Sequence, residues 1–240
     1  MTRQNTPDEE KKQEKDQKSE QKTERIIELG SSVVTNCHGT IHCRNIIGQI
    51  GGHSNAPENA KTTRYEHLVP LLASLEESDE VDGVLILLNT VGGDAEAGLA
   101  LAEMIAGMTK PTATLVLGGG HSIGIPLAVS GRINMIAPSA SMTVHPVRMS
   151  GTMIAAPQTY RYFDKLQESI VRFVAAHSQI RAETFRELML RTDEMANDVG
   201  SVLYGEDAVA LGLMQQVGTL KDALQALYSA IDEDKKQKKE

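Results

Sequence analysis

Apolar residues along the chain fall into short continuous runs separated by longer stretches of helical spacing. Residues 45–50, 84–88 and 112–117 are rich in Ile, Leu and Val with few polar interruptions, the pattern of strands buried on both faces. Between them, 65–75 and 95–108 repeat apolar positions every three or four residues and predict helices. Residues 133–137 and 141–145 predict two short strands. Residues 157–176 predict a long helix on which Phe163, Leu166, Ile170, Phe173 and Val174 share one face. A further helix ends near Arg191, and 201–204 reads as a strand. Alternating strands and helices predict an α/β fold, a parallel-rich sheet with helices packed against it.

The ends of the chain break this pattern. Residues 1–24 are almost entirely Lys, Glu, Asp, Gln, Ser and Thr, with no apolar face to bury, and are expected to form a disordered charged tail. Residues 232–240 read as a second charged tail, leaving one domain over 25–231. A hydrophobic content of 40% supplies a sizeable core, while 3% aromatic residues and no Trp make that core aliphatic. Few aromatics and a net charge of -8 argue against a nucleic-acid partner. No apolar run is long enough to insert in a membrane. Two cysteines and no signal-like start predict a cytoplasmic protein. Cys37, His38, His42 and Cys43 are metal-ligand types, but their crowding matches no zinc pattern. They are read as a loop or hairpin, with no metal or cofactor expected.

Chemistry concentrates at Gly-Gly-Gly-His-Ser-Ile-Gly over 118–124. A strand run precedes Ser122, and the apolar run after it carries Pro126, which a helix accepts in its first turn. A serine at such a junction sits near backbone N–H groups that can hold an oxyanion. It also needs a base to take its proton. His145 is the best-placed histidine: it ends a short strand, and Pro146 holds it extended. His121 adjoins the serine but is expected to point to the other side of the turn. His177 ends a helix, His67 begins one, and His38, His42 and His53 lie in the N-terminal third. For the carboxylate that orients the base, Asp198 in a loop closed by Gly200 is favoured over Asp193. Asp164 and Asp207 read as solvated helix positions.

Four blocks resemble the ClpP family of serine proteases in that family's own order. They are Leu-Asn-Thr-Val-Gly-Gly over 88–93, the 118–124 block, Met-Thr-Val-His-Pro over 142–146 and Glu-Asp-Ala-Val-Ala-Leu-Gly-Leu over 206–213. The resemblance covers about residues 44–218 and is nearest a divergent branch from spore-forming bacteria associated with protein translocation. It implies a ClpP/crotonase-like fold with a projecting handle helix, Ser122 as nucleophile, His145 as general base and Asp198 as the triad acid. It implies N–H donors from Gly93 and Ile123 for the oxyanion, with Gly92 and Gly120 binding substrate. Where the family carries a small residue after its glycine pair, this chain has Asp94, read as the cap of the next helix.

The resemblance further implies a homo-oligomer, a ring with the 157–176 helix at an interface. Its substrate would be a polypeptide, delivered with or without a separate ATP-driven unfoldase. No Walker-type lysine follows the glycines. The expected activity is serine-type endopeptidase, linked to secretion or to protein turnover in sporulation. The alternatives are a non-catalytic factor assisting translocation of presecretory proteins, and acyl-CoA chemistry on the same fold. An α/β-hydrolase would require an acid between serine and histidine in chain order, and none lies between Ser122 and His145.

Overall fold

The computed structural model describes residues 30–53, 59–148, 155–193 and 199–238. The 1–24 stretch and Asp198 lie outside them. The chain opens with the hairpin β1 (Ser31–Thr35) and β2 (Thr40–Gly51), then β3 (Thr62–Arg64), α1 (Tyr65–Glu77), β4 (Gly83–Gly93), α2 (Ala95–Ala106) and β5 (Thr112–Gly120). It continues with α3 (Gly124–Val129), β6 (Ile133–Ile136), β7 (Ser141–Val144), α4 (Ala156–Ala176) and α5 (Ala182–Leu190). The last elements are β8 (Ser201–Tyr204), α6 (Gly205–Ala210), β9 (Gln216–Val217) and α7 (Leu220–Gln237).

The main sheet runs in the order β1-β2-β4-β5-β6-β9. It is parallel from β2 to β9, with β1 antiparallel on the edge. The short β7 pairs with the end of β5 and with β8. Because successive side chains of a strand face opposite ways, the apolar runs serve two cores. Val84, Ile86 and Leu88 pack with Leu68, Leu72, Leu101 and Ile105 of α1 and α2. Leu85, with Ile41, Leu115 and Met135, meets Ala223, Leu227 and Ile231 of α7 on the other face. Burying each such aliphatic side chain is worth roughly 1.5–3 kcal/mol, which is why a core so poor in aromatics holds.

β4 and β5 run beyond their apolar stretches, through Gly93 and Gly120. Periodicity cannot signal this, because glycine carries no side chain to alternate. The strands stay together because Thr90 pairs with Gly120 and the Gly119 amide donates to Asn89 Oδ1 at 2.9 Å. A Cβ at Gly118 would lie 2.6 Å from that same oxygen.

The Cys/His stretch is the turn of the first hairpin, with β2 starting earlier than residue 45. Asn36 Oδ1 accepts from the His38 amide at 2.8 Å. Cys37 is exposed and Cys43 is buried in the sheet. His38 pairs with Asp232 at 2.8 Å, and His42 lies 3.1 Å from Ser31 Oγ. The 232–240 stretch, read as a tail, is helical to Gln237. Ile231 is buried beneath it, and Lys235 reaches Asp82 at 2.9 Å and the His38 carbonyl at 3.0 Å. Among the described residues, no helix is long and apolar enough to cross a membrane.

Candidate active site

Between β5 and α3 the chain turns sharply, and Ser122 takes the left-handed conformation with φ 56°. Among the described residues it is the only non-glycine with positive φ. That conformation costs a side-chain-bearing residue roughly 1–2 kcal/mol, so the surroundings must impose it. The Ser122 amide donates to the Thr143 carbonyl at 2.9 Å, Gly124 N–H to the His121 carbonyl at 2.9 Å, Ile125 N–H to the Ser122 carbonyl at 3.0 Å, and His121 N–H to the Thr90 carbonyl at 3.1 Å. Gly92, itself at φ 89°, has no Cβ, and one placed there would lie 2.7 Å from Ser122 Cβ and 3.3 Å from its Oγ. The amide of Gly92 donates to Thr90 Oγ1 at 3.0 Å, and that hydroxyl donates to the Gly48 carbonyl at 2.6 Å. Thr90 thus fixes the glycine pair beside the serine.

Gly93 follows at φ 155°, where a Cβ would meet the Ile50 carbonyl at 2.2 Å. The next amide, that of Asp94, donates to this carbonyl at 3.0 Å, and Gly93 shares the lining of one cleft with Ser122. Asp94 caps α2, its Oδ1 accepting from the Ala97 amide at 2.8 Å, in keeping with the role read from sequence.

His145 stands directly after β7. Its Nδ1 lies 2.7 Å from the Pro146 carbonyl, which can only accept, so a neutral ring carries its proton on Nδ1 and a lone pair on Nε2. Gly200, at φ 137°, comes so close that a Cβ would lie 2.9 Å from His145 Cβ and 2.3 Å from the Val144 carbonyl. The Gly200 amide donates to the Arg191 carbonyl at 2.8 Å. Both ends of the 191–200 loop are thereby pinned beside the histidine. Asp193, exposed, lies near one end of that loop, and Asp198 lies outside the described residues near the other.

Gly93, Ser122, Ile123 and His145 line one cleft of about 370 Å³. Ile125, Val144 and, from α4, Phe163, Leu166 and Ile170 are apolar members of its lining. Three of the five residues of the α4 apolar stripe therefore line this cleft, while Phe173 and Val174 continue it into the core. At the rim, the Tyr162 hydroxyl donates to Glu96 Oε1 at 2.8 Å, and that bond to a carboxylate raises the phenol's pKa. Gly120 is not on the cleft wall. A Cβ there would point at Val116, 3.2 Å away, and Met142, 3.6 Å away, in the core.

The remaining histidines lie elsewhere or have other partners. His121 Nδ1 is paired with Thr143 Oγ1 at 2.8 Å, His177 Nδ1 donates to the Phe173 carbonyl at 2.8 Å, and His53 Nδ1 lies 3.4 Å from the Tyr65 hydroxyl. His67 is exposed on α1, as are Asp164 on α4 and Asp207 on α6. Sequence reasoning missed Thr143, Thr90 and Tyr162, which act through register and crossings between elements. It also left Gly200 as a mere loop marker, although a glycine closing an acidic loop signals close backbone approach.

The parallel-rich sheet, its flanking helices and a serine on a strained strand-to-helix turn define an α/β protein of ClpP/crotonase-like fold. Residues 54–221 match the model of the Clp protease family, and the chain belongs to that family. It is 50% identical over 210 residues to the "Translocation-enhancing protein TepA" of Halalkalibacterium halodurans, covering 87% of this chain and 82% of that protein. It is 25% identical over 202 residues to "Putative protease MJ0651" of Methanocaldococcus jannaschii, covering 71% of this chain and 62% of that protein.

Proposed function

We propose that the chain is a serine endopeptidase acting on polypeptides, with Ser122 as nucleophile and His145 as general base. The observation that carries this reading is the strained Ser122 backbone on a cleft shared with His145, Gly93 and Ile123. Strain confined to a nucleophile position is a hallmark of pre-organised sites. In this reaction His145 Nε2 takes the Ser122 hydroxyl proton as Oγ attacks the peptide carbonyl. The same nitrogen then gives the proton to the leaving amine, and water repeats the sequence on the acyl-enzyme. The N–H groups of Gly93 and Ile123 hold the oxyanion, each donor contributing about 100- to 1,000-fold in rate. The Pro146 carbonyl holds the imidazole in the tautomer this requires, and Asp198 is the residue proposed as the triad acid. Gly92 leaves room for substrate over the serine. The apolar wall formed by Phe163, Leu166 and Ile170 accepts an apolar substrate side chain.

The assembly in this reading is a cytoplasmic homo-oligomeric ring, as is usual in the family, with α4 at a subunit interface. Tyr160, 72% exposed on that helix, is an apolar surface consistent with such a contact. An ATP-driven unfoldase would come from a separate chain. A second reading, a non-catalytic factor assisting translocation of presecretory proteins, is supported by the printed name of the relative at 50% identity. Two assays separate them. Incubation of the purified protein with an unfolded protein substrate, read by mass spectrometry, yields cleavage products that vanish in Ser122→Ala. Export of a secretory precursor from cells carrying only Ser122→Ala then falls if catalysis serves secretion. Intact substrate together with undiminished export would overturn the peptidase reading in favour of the translocation factor.

A further inference from the structure

We infer that His121 and Thr143 form a brace that sets the geometry of Ser122, making both positioning residues for the nucleophile. The inference rests on the proposed role of Ser122. Thr143 holds two neighbouring positions of the nucleophile turn at once: its carbonyl accepts the Ser122 amide at 2.9 Å, and its hydroxyl is paired with His121 Nδ1 at 2.8 Å. Thr143 is fixed in turn by β7, which pairs with β8 along its length and continues into His145. A single residue therefore ties the turn carrying the nucleophile to the strand carrying the base.

The surroundings of His121 are built around this contact. A Cβ at Gly119 would lie 2.5 Å from His121 Nε2 and 2.7 Å from Cδ2. The Nε2–Cδ2 edge of the ring thus abuts a bare stretch of β5, which accounts for one of the three consecutive glycines. His121 does not line the cleft, whereas Ser122 and His145 do, and its Nδ1 is taken up by Thr143. It is accordingly a support and not an alternative base. The backbone of His121 is held as firmly: its amide donates to Thr90 and its carbonyl accepts from Gly124. A Cβ on Gly92 would meet that carbonyl at 2.9 Å. Ser122 stays in a conformation that L residues rarely adopt because both flanks of the turn are clamped, and the side-chain clamp is the His121–Thr143 pair.

The test uses the full-length protein in two independent readouts. The first is the rate of labelling by a fluorophosphonate serine probe in the wild type, Thr143→Val, Thr143→Ser, His121→Ala, His121→Asn and the double variant His121→Ala/Thr143→Val. Thr143→Val keeps shape and loses the hydroxyl, and should label about 10- to 100-fold more slowly, the range expected when a reacting atom is displaced by a fraction of an ångström to about 1 Å. Thr143→Ser and His121→Asn, which can remake the bond, should recover most of the rate. The double variant should be no slower than either single loss, because both remove one interaction. The second readout is hydrogen exchange of the 118–125 peptide, which should quicken in Thr143→Val and His121→Ala and not in Thr143→Ser. Unchanged exchange in Thr143→Val, or losses in labelling that multiply in the double variant, would overturn the brace. If the wild type is not labelled while its exchange responds as expected, the brace stands and the nucleophile reading fails.

Discussion

At Ser122 a φ of 56° is tolerated because hydrogen bonds on both sides of the turn fix it, and the conformation costs stability in exchange for presenting Oγ to the cleft. Ser122→Gly should therefore be more stable to chemical denaturation than Ser122→Ala by about 1 kcal/mol, although both lack the nucleophile. Equal stabilities would mean that the turn is not strained. Burial lowers the pKa of His121 below its ordinary value, and the charge of His145 adds to the effect. A histidine depressed in the folded state favours folding fully above its unfolded value near 6.5, and that contribution is lost as pH falls through the lower folded value. His121→Gln should consequently flatten the decline in unfolding free energy between about pH 7 and pH 5. An unaltered slope would assign the decline to other groups. Ser122 and His145 were legible in the sequence because glycines and a proline mark the backbone around them. The pairing of Thr143 with His121 was not, since it depends on the register of β7 against the end of β5, which no local pattern encodes.

Elements whose side chains alternate or repeat were readable, and elements defined by bare backbone or by long-range ion pairs were not. The runs at the centres of β2, β4 and β5, together with the helices between them, fell where hydrophobic spacing puts them. Their glycine-rich ends, which build the site, carry no such signal. β1 was missed because Val33 and Val34 are 40% and 41% exposed, so the strand has no buried face to betray it. The last turns of α7 read as a charged tail because charge dominates residues 232–240, yet those charges dock the helix. Thr219 and Asp222 cap its start reciprocally, and Lys235 and Asp232 tie its end to the first hairpin through His38. Ile231→Ala should destabilise the fold by about 2–5 kcal/mol in denaturant unfolding, whereas a loss under about 0.5 kcal/mol would mean that the helix does not seal that face. Burial pushes the Asp82 carboxyl up, but its bonds to Lys235 and to the Thr40 amide outweigh this and leave its pKa below the ordinary value. Its contribution is thus present above the unfolded value near 3.9 and disappears as pH falls through the folded one. Asp82→Asn should cost on the order of 0.5–1 kcal/mol at neutral pH, and that cost should shrink as pH falls below about 3.9. A cost that persists in acid would point to packing instead of charge.

Across the whole molecule, the helix-covered parallel sheet delivers the ends of three sequence-distant strands to one cleft. The ends of β4 and β5 bring the glycine pair and Ser122, and β7 brings His145 with the loop that Gly200 closes. This convergence was legible only through the order of four motifs, because single motifs do not state which strands are neighbours. The proposed ring belongs to this scale as well. Sedimentation of the purified protein at micromolar concentration should show an oligomer, and a dissociated monomer would contradict the interface assigned to α4. The central claim is that the cleft holds an activated serine, and the most direct measurement of it is covalent labelling of the intact protein by a fluorophosphonate probe beside Ser122→Ala and His145→Ala. One labelled site, Ser122, is expected in the wild type, with labelling abolished in the first variant and lowered about 100- to 10,000-fold in the second. No labelling of the intact oligomer, even with unfolded peptide and an unfoldase present, would contradict it.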